Sequence, residues 1–195
     1  MTKGAMDAVR SSIRTYGHRR LEIEWRLGLM QPNGFRPGIT ECEWMALKHA
    51  LDESCAFTCE FKQTRECIAP DGKLVLPDNT WIFKKRLHTI DEKTQRAWTV
   101  RCSVCLEEQE LNSQEPTRKF KFERHKRRWS YKYRCWSIDL TRVRSNLPEV
   151  LDNDCDTFEV EIELIDQDVL LVRPLDNVLE WGSKLVDDMC ALMAQ

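Results

Sequence analysis

At 195 residues the chain has the length of one ordinary domain and can bury a core without disulfide or metal staples. Thirty basic against 32 acidic side chains leave a formal charge of -2, which excludes a broadly basic nucleic-acid coat, so any phosphate-binding field must be local. Nine cysteines, odd in number and without a regular framework, point to a reducing intracellular compartment. No stretch approaches the roughly 20 apolar residues that cross a bilayer, and no membrane contact is expected.

Met1 to Ser12 carry little pattern, and the opening Met-Thr-Lys-Gly-Ala-Met is compatible with residues left over from expression. A single domain over residues 18–195 is therefore expected, with 1–17 as an N-terminal segment. From Leu21 to Leu27 the apolar Leu21, Ile23, Trp25 and Leu27 alternate with Glu22, Glu24 and Arg26, the period of a strand with one apolar and one charged face. Gly28 and Pro32-Asn33-Gly34 are expected to end it. Thr40-Glu41-Cys42-Glu43 has capping-box spacing, and Trp44, Leu47 and Leu51 follow at helical intervals, which predicts a helix over 41–53.

Strands are predicted from Phe57 to Arg65, Trp81 to Leu87 and Trp98 to Leu106, with a turn at Pro70-Asp71-Gly72 and a loop from Glu107 to Thr117. Three more follow at Phe120–Tyr133, Cys135–Val143 and Phe158–Leu164, the last two separated by Pro148 and the acidic Asp152-Asn153-Asp154. After Pro174, Val178, Leu179, Leu185, Val186, Met189, Leu192 and Met193 recur at helical spacing, with Gly182 as a weak point. The expected class is mainly β with a few packing helices.

Three charged strand faces carry the functional reading. Glu159, Glu161 and Glu163 share one face of Phe158–Leu164, and with Glu22 and Glu24 they put five carboxylates on two strands. Either face alone is what a solvated antiparallel sheet presents; brought together, they would need a cation, most simply a hard divalent ion held by carboxylate oxygens. Arg124, Lys126 and Arg128 alternate along a third strand, followed on that face by Ser130. Cations about 7 Å apart cannot neutralise one another, whereas a polyphosphate carries repeated charge and accepts forked hydrogen bonds.

Glu22-x-Glu24-x-Arg26-x-Gly28, Arg124-x-Lys126-x-Arg128-x-Ser130, Ile138-Asp139-Leu140-Thr141-x-Val143 and Glu159-x-Glu161-x-Glu163, in that order, resemble the tunnel-type metal-dependent RNA 5′-triphosphatases, the β-subunit class of messenger-RNA capping enzyme. The resemblance runs over about residues 20 to 165, with Arg65, Lys85 beside Arg86, and Glu107 as further matches to interior positions. It implies a closed antiparallel eight-stranded β-barrel tunnel and a nuclear enzyme that releases the γ-phosphate of nascent RNA. Glu22, Glu24 and Glu163 would bind Mg2+ or Mn2+. Arg65, Lys85, Arg124, Lys126 and Arg128 would hold the phosphates, Arg65, Lys126 and Arg128 also stabilising the leaving diphosphate. Glu107 and Glu161 would position or deprotonate the water, Asp139 and Glu159 would orient the basic side chains, Thr141 would add a hydroxyl contact, and Arg26 would support the same set.

The substrate implied is 5′-triphosphate RNA, with nucleoside triphosphates also admissible and an mRNA guanylyltransferase as a partner. Two departures stand out: Ser137 replaces a basic residue two positions before the aspartate, and the family's acid upstream of Arg65 has only Asp52 or Glu60 as substitutes. A tunnel hydrolase acting on inorganic or thiamine triphosphate would keep the Glu-x-Glu signature without needing the basic motif, and a noncatalytic RNA-binding barrel would not need acidic strands. Cys102-x-x-Cys105 is half a zinc pattern with no second pair. His18, His49, His88 and His125 form no cluster, and Trp25, Trp44, Trp81 and Trp136 fall on expected apolar faces.

Overall fold

The computed structural model describes residues 3–18, 20–94, 98–111, 119–146 and 156–193. Its elements are α1 (Lys3–Tyr16), β1 (Leu21–Gln31), β2 (Gly34–Pro37), α2 (Glu41–Glu53), β3 (Thr58–Ile68), β4 (Lys73–Leu76), β5 (Thr80–Lys93), β6 (Thr99–Leu111), β7 (Phe122–Tyr133), β8 (Trp136–Asn146), β9 (Thr157–Leu164), α3 (Val169–Val172) and α4 (Leu175–Leu192). Every strand pairs antiparallel with its neighbours in the order β2-β1-β6-β5-β4-β3-β7-β8-β9. The additional β1–β9 ladder, Glu24↔Glu163 to Arg26↔Glu161, closes eight of them into a barrel, with β2 as a hairpin arm on β1. The expected eight-stranded closed antiparallel barrel is therefore the fold.

Alternation explains how a closed barrel is filled with charge. Each strand points every second side chain inward, and in β1, β8 and β9 those positions are polar while Ile23, Trp25, Ile138, Leu140, Val160 and Ile162 point out. The main hydrophobic core thus lies outside the barrel, between its wall and the helices. Trp25 and Trp136 pack together there with centroids 4.8 Å apart and planes tilted by 50°. Gly182 of α4 packs onto that pair, since a Cβ on it would stand 2.6 Å from Trp25 and 2.7 Å from Trp136. The glycine that weakens the helical pattern in sequence is what lets the helix approach the barrel.

The capping box is formed as predicted: Thr40 Oγ1 accepts from the Glu43 amide at 3.3 Å, and the Thr40 amide donates to Glu43 Oε2 at 2.8 Å. Several boundaries differ. The opening residues, patternless in sequence, form α1, whose Ala5 and Val9, one turn apart, are fully buried in the main core; two small side chains among polar neighbours give a weak periodic signal. Gly28 does not end β1. It lies within the strand because β2 presses against it, and a Cβ would fall 2.3 Å from the Arg36 carbonyl oxygen. Strand β6 continues through Glu107 to Leu111 where a loop was expected, because β5 is long enough to pair with it throughout. The four-residue β4 was not foreseen. Pro148 and Asp152-Asn153-Asp154 lie outside the described residues.

Candidate active site

Strand pairing fixes which charges meet. Glu22 and Glu24 of β1, Lys126 and Arg128 of β7, Glu161 and Glu163 of β9 and Glu107 of β6 line one cavity of about 230 Å³ inside the barrel, with Arg26. Arg124 reaches the same interior, where it donates to Glu159 at 2.7 Å and stands 3.8 Å from Glu66. His125 and Arg127 line a separate cavity outside the barrel, and Trp129 packs on Trp44 of α2. The alternation predicted for the basic strand is therefore realised, with three cations inside and their sequence neighbours outside.

The acidic wall is built at the seam. Glu24 opposes Glu163 directly, and Glu22 sits two residues away on the same face. Like charges in such positions repel, and burial adds to the cost of ionising them. Burial, with the neighbouring Glu161, pushes Glu24 up to about 7 despite Arg26. Burial, with Glu22, Asp139 and Glu161, pushes Glu163 up to about 8. Glu22 Oε2 is buried without a hydrogen-bond partner. An orphaned acceptor and two carboxyls that resist ionisation are what a divalent cation would relieve, so the residues fit a hard metal ion. Among the described residues no three donors already stand in a metal-ligand arrangement. Lys84 occupies part of that space, pairing with Glu22 and, at 3.0 Å, with Glu107.

The remaining charges are paired, although Arg26 Nε and Glu66 Oε2 are also buried without a hydrogen bond. Glu161 is gripped by Arg26 at 2.9 Å and by Arg128 at 2.8 Å. Although burial alone would raise its pKa, these guanidiniums keep it well below the usual carboxylate range. Arg26 also reaches Glu24 at 3.0 Å. Arg128 donates to Asp139 at 2.8 Å and to Thr141 at 3.0 Å. Ser137 donates to Asp139 Oδ1 at 2.5 Å, so the residue that departs from the family pattern serves the aspartate that fixes Arg128. Lys126, 3.2 Å from Glu66, is pushed down to about 8 mainly by burial.

Two of the expected phosphate ligands lie outside the cavity. Arg65 faces out of the barrel and pairs with Glu123, its Nε donating at 2.9 Å to Oε2. Lys85 opposes Leu106 on the outward parity and is exposed. Their neighbours take the inward positions: Glu66 and Thr64 on β3, and Lys84 on β5 opposite Glu107. Lys62 and Lys73 also line the cavity and were missed. In Lys84-Lys85-Arg86 both parities are basic, and in Lys62-Gln63-Thr64-Arg65-Glu66 both are polar, so alternation cannot choose between them. Pairing β3 with the Arg-x-Lys-x-Arg strand would have done so, because Glu66 opposes Arg124 and Thr64 opposes Lys126. Neither Asp52, which accepts from Tyr131 at 2.6 Å, nor Glu60, paired with Lys132 at 2.7 Å, lines the cavity. Cys102 and Cys105 occupy opposite faces of β6, pairing with Trp25 and Glu22 respectively, and form no zinc half-site.

Comparison with known proteins places this geometry. The chain is 29% identical over 197 residues, covering 96% of it and 97% of the relative, to the 5′RNA triphosphatase A449R of Paramecium bursaria Chlorella virus 1. Its fold superposes on the S. pombe Pct1 RNA triphosphatase with a TM-score of 0.78 at 18% identity, covering 96% of this chain and 91% of that one. The Mimivirus capping enzyme triphosphatase gives 0.64 at 16% identity, covering 100% and 99%. Residues 74–180, more than half of the chain and including the basic strand, the Asp139 motif and the Glu159–Glu163 strand, match the model of the mRNA capping enzyme β chain, and the protein belongs to that family.

Proposed function

We propose that this protein hydrolyses the γ-phosphate of triphosphate-ended RNA, leaving a diphosphate end, with the chemistry inside the barrel. One observation carries the reading: a confined cavity sets Glu22, Glu24 and Glu163 against Lys62, Lys73, Lys84, Lys126 and Arg128. Such a cavity suits a substrate that brings both several negative charges and a cation. These cations now lean on carboxylates of the same wall, and a chain of three phosphates would engage more of them at once than a single phosphate could.

Glu22, Glu24 and Glu163 would hold the metal on which this family depends, which on this reading is Mg2+ or Mn2+. When bound, such an ion withdraws charge from a phosphoryl oxygen. The protein's own side chains do the rest. Arg124, Lys126 and Arg128, with Lys73 and Lys84, bind the phosphate oxygens and stabilise the charge that grows on the leaving diphosphate. Asp139 and Thr141 fix the Arg128 fork and Glu159 fixes Arg124, which keeps these donors aimed before substrate arrives. Glu161 and Glu107 are both held acidic by cations, despite burial. Groups of that strength orient a water by accepting its hydrogen bond rather than by taking its proton.

The diphosphate end is the acceptor that an mRNA guanylyltransferase requires, which makes that enzyme the expected partner and the nucleus the expected compartment. The deciding experiment follows phosphate release from 5′-triphosphate RNA, GTP and a simple monophosphate ester with Mg2+, Mn2+ or excess chelator. Metal-dependent release from RNA with negligible attack on the monoester is expected. Full activity in chelator, or faster hydrolysis of the monoester, would refute the reading.

A further inference from the structure

Outside the barrel, the faces of β3, β7 and β8 are aligned in three cross-strand rows. Phe61, Trp129 and Leu140 form the first, Gln63, Arg127 and Arg142 the second, and Arg65, His125 and Arg144 the third. The second row sets Arg127 directly opposite Arg142, and such a like-charge pair destabilises a sheet unless something else occupies the face; the third row adds Arg65 and Arg144 on either side of His125. They line a cavity of about 740 Å³. Two carboxylates serve it: Glu123 pairs with Arg65, and Asp156 with Arg142 and, at 3.0 Å, with Arg144. Among the described residues four arginines meet two acids across this groove, on a chain whose formal charge is -2, and Arg127 makes no ion pair there.

The aromatic row borders this basic field. Phe61 is 51% exposed and leans on Trp129 with centroids 4.8 Å apart. A second cavity of about 320 Å³, lined by Trp44, Trp129 and Phe158, adjoins the groove at Arg142. Only the β3–β7 wall stands between the groove and the active site, and Thr64 and Lys126 of that wall line both cavities. Strand β4 stops at Leu76, and no ladder joins β3 to β5 beyond it. Pro77, which follows, lines the groove, and Lys62 of the inner cavity pairs with Asp78 next to it.

From this juxtaposition we infer that the outer face of β3–β7–β8 binds the single-stranded RNA chain that trails from the triphosphate. Arg127, Arg142 and Arg144 contact backbone phosphates, and Phe61 with Trp129 provides a stacking platform for a base. The groove rests on the triphosphatase reading for its substrate, but its binding chemistry is independent of the inner carboxylates. It would make the enzyme prefer a chain-bearing triphosphate to a free nucleotide.

The test uses the full chain, a Phe61→Ala/Arg127→Gln variant that leaves the inner cavity untouched, and three probes: a 5′-triphosphate RNA dodecamer, GTP, and the same dodecamer ending in a 5′-hydroxyl. The expected result is at least a tenfold fall in kcat/KM for the RNA, read against GTP hydrolysis and a thermal midpoint that both stay at the wild-type level. Binding of the 5′-hydroxyl RNA should weaken in the variant, and Arg127→Gln alone should make its salt dependence shallower by about 0.7 in log–log slope, one phosphate contact on a single strand. Equal losses on RNA and GTP, or a wild-type protein that does not bind the 5′-hydroxyl RNA, would overturn the groove. A wild-type protein that releases phosphate from no substrate would sink the triphosphatase reading instead, and the hydroxyl-ended RNA would still decide the groove.

Discussion

Glu24 and Glu163 stand directly opposite each other across the β1–β9 seam, the ladder that closes the barrel. The chain therefore joins its first and last barrel strands through two carboxylates, next to an orphaned oxygen of Glu22, an unfavourable arrangement that a cation would relieve. Glu24→Ala or Glu163→Ala is expected to lower turnover by roughly a hundredfold or more, the scale of losing one preorganised charge-stabilising group. Glu163→Gln should also raise the thermal midpoint of the metal-free protein and remove most of the further rise that Mn2+ gives the wild type. Near-normal turnover in the folded variants would take both residues out of the metal site.

The inward–outward assignment of β5 has its own test. Lys84 bridges Glu22 and Glu107 inside the barrel, whereas Lys85 is on the exterior. Lys84→Ala should cost at least tenfold in kcat/KM for triphosphate RNA, and Lys85→Ala should stay within twofold of wild type. The reverse ranking would mean that the strand is shifted by one residue.

Gly182 tests the packing that supports the barrel from outside. A methyl group there meets two indole rings that cannot turn aside cheaply, so Gly182→Ala is expected to cost about 1–3 kcal/mol in urea unfolding. Its activity at temperatures where it remains folded should be unchanged. A neutral or stabilising substitution would show that α4 has freedom to shift along the Trp25–Trp136 pair.

Glu66 gives a pH dependence of stability. Burial pushes its pKa up, but Lys126, Lys73 and Arg124 outweigh burial and hold it at about 2. Its folded pKa lies below its unfolded one, so its contribution is fully present above about pH 4.5 and is lost as pH falls toward 2. The wild type should therefore lose stability through that window more steeply than Glu66→Gln, which should be less stable at pH 6. Parallel acid-unfolding curves for the two proteins would contradict the ion-pair assignment.

Alternation in the sequence determined much of the site, because a strand's period of two is imposed by backbone geometry alone. Wherever one parity was apolar, as in Leu21–Leu27 and Phe158–Leu164, the charged parity had to face away from the apolar core, and Glu22, Glu24, Glu161 and Glu163 were legible before any pairing was known. The motif order then identified the closed barrel. In the segments around Arg65 and Lys85 both parities are polar, so burial exerts no preference that sequence can reveal, and only the ladders to β7 and β6 decided that Glu66 and Lys84 enter the cavity. The same limit hid α1, whose small buried residues count only against the core they meet, and Gly28 and Gly182, which look like breaks until the strand and the indole rings that approach them are in place. Period is a local property of the chain; which of two polar faces becomes the interior is settled by neighbours distant in sequence.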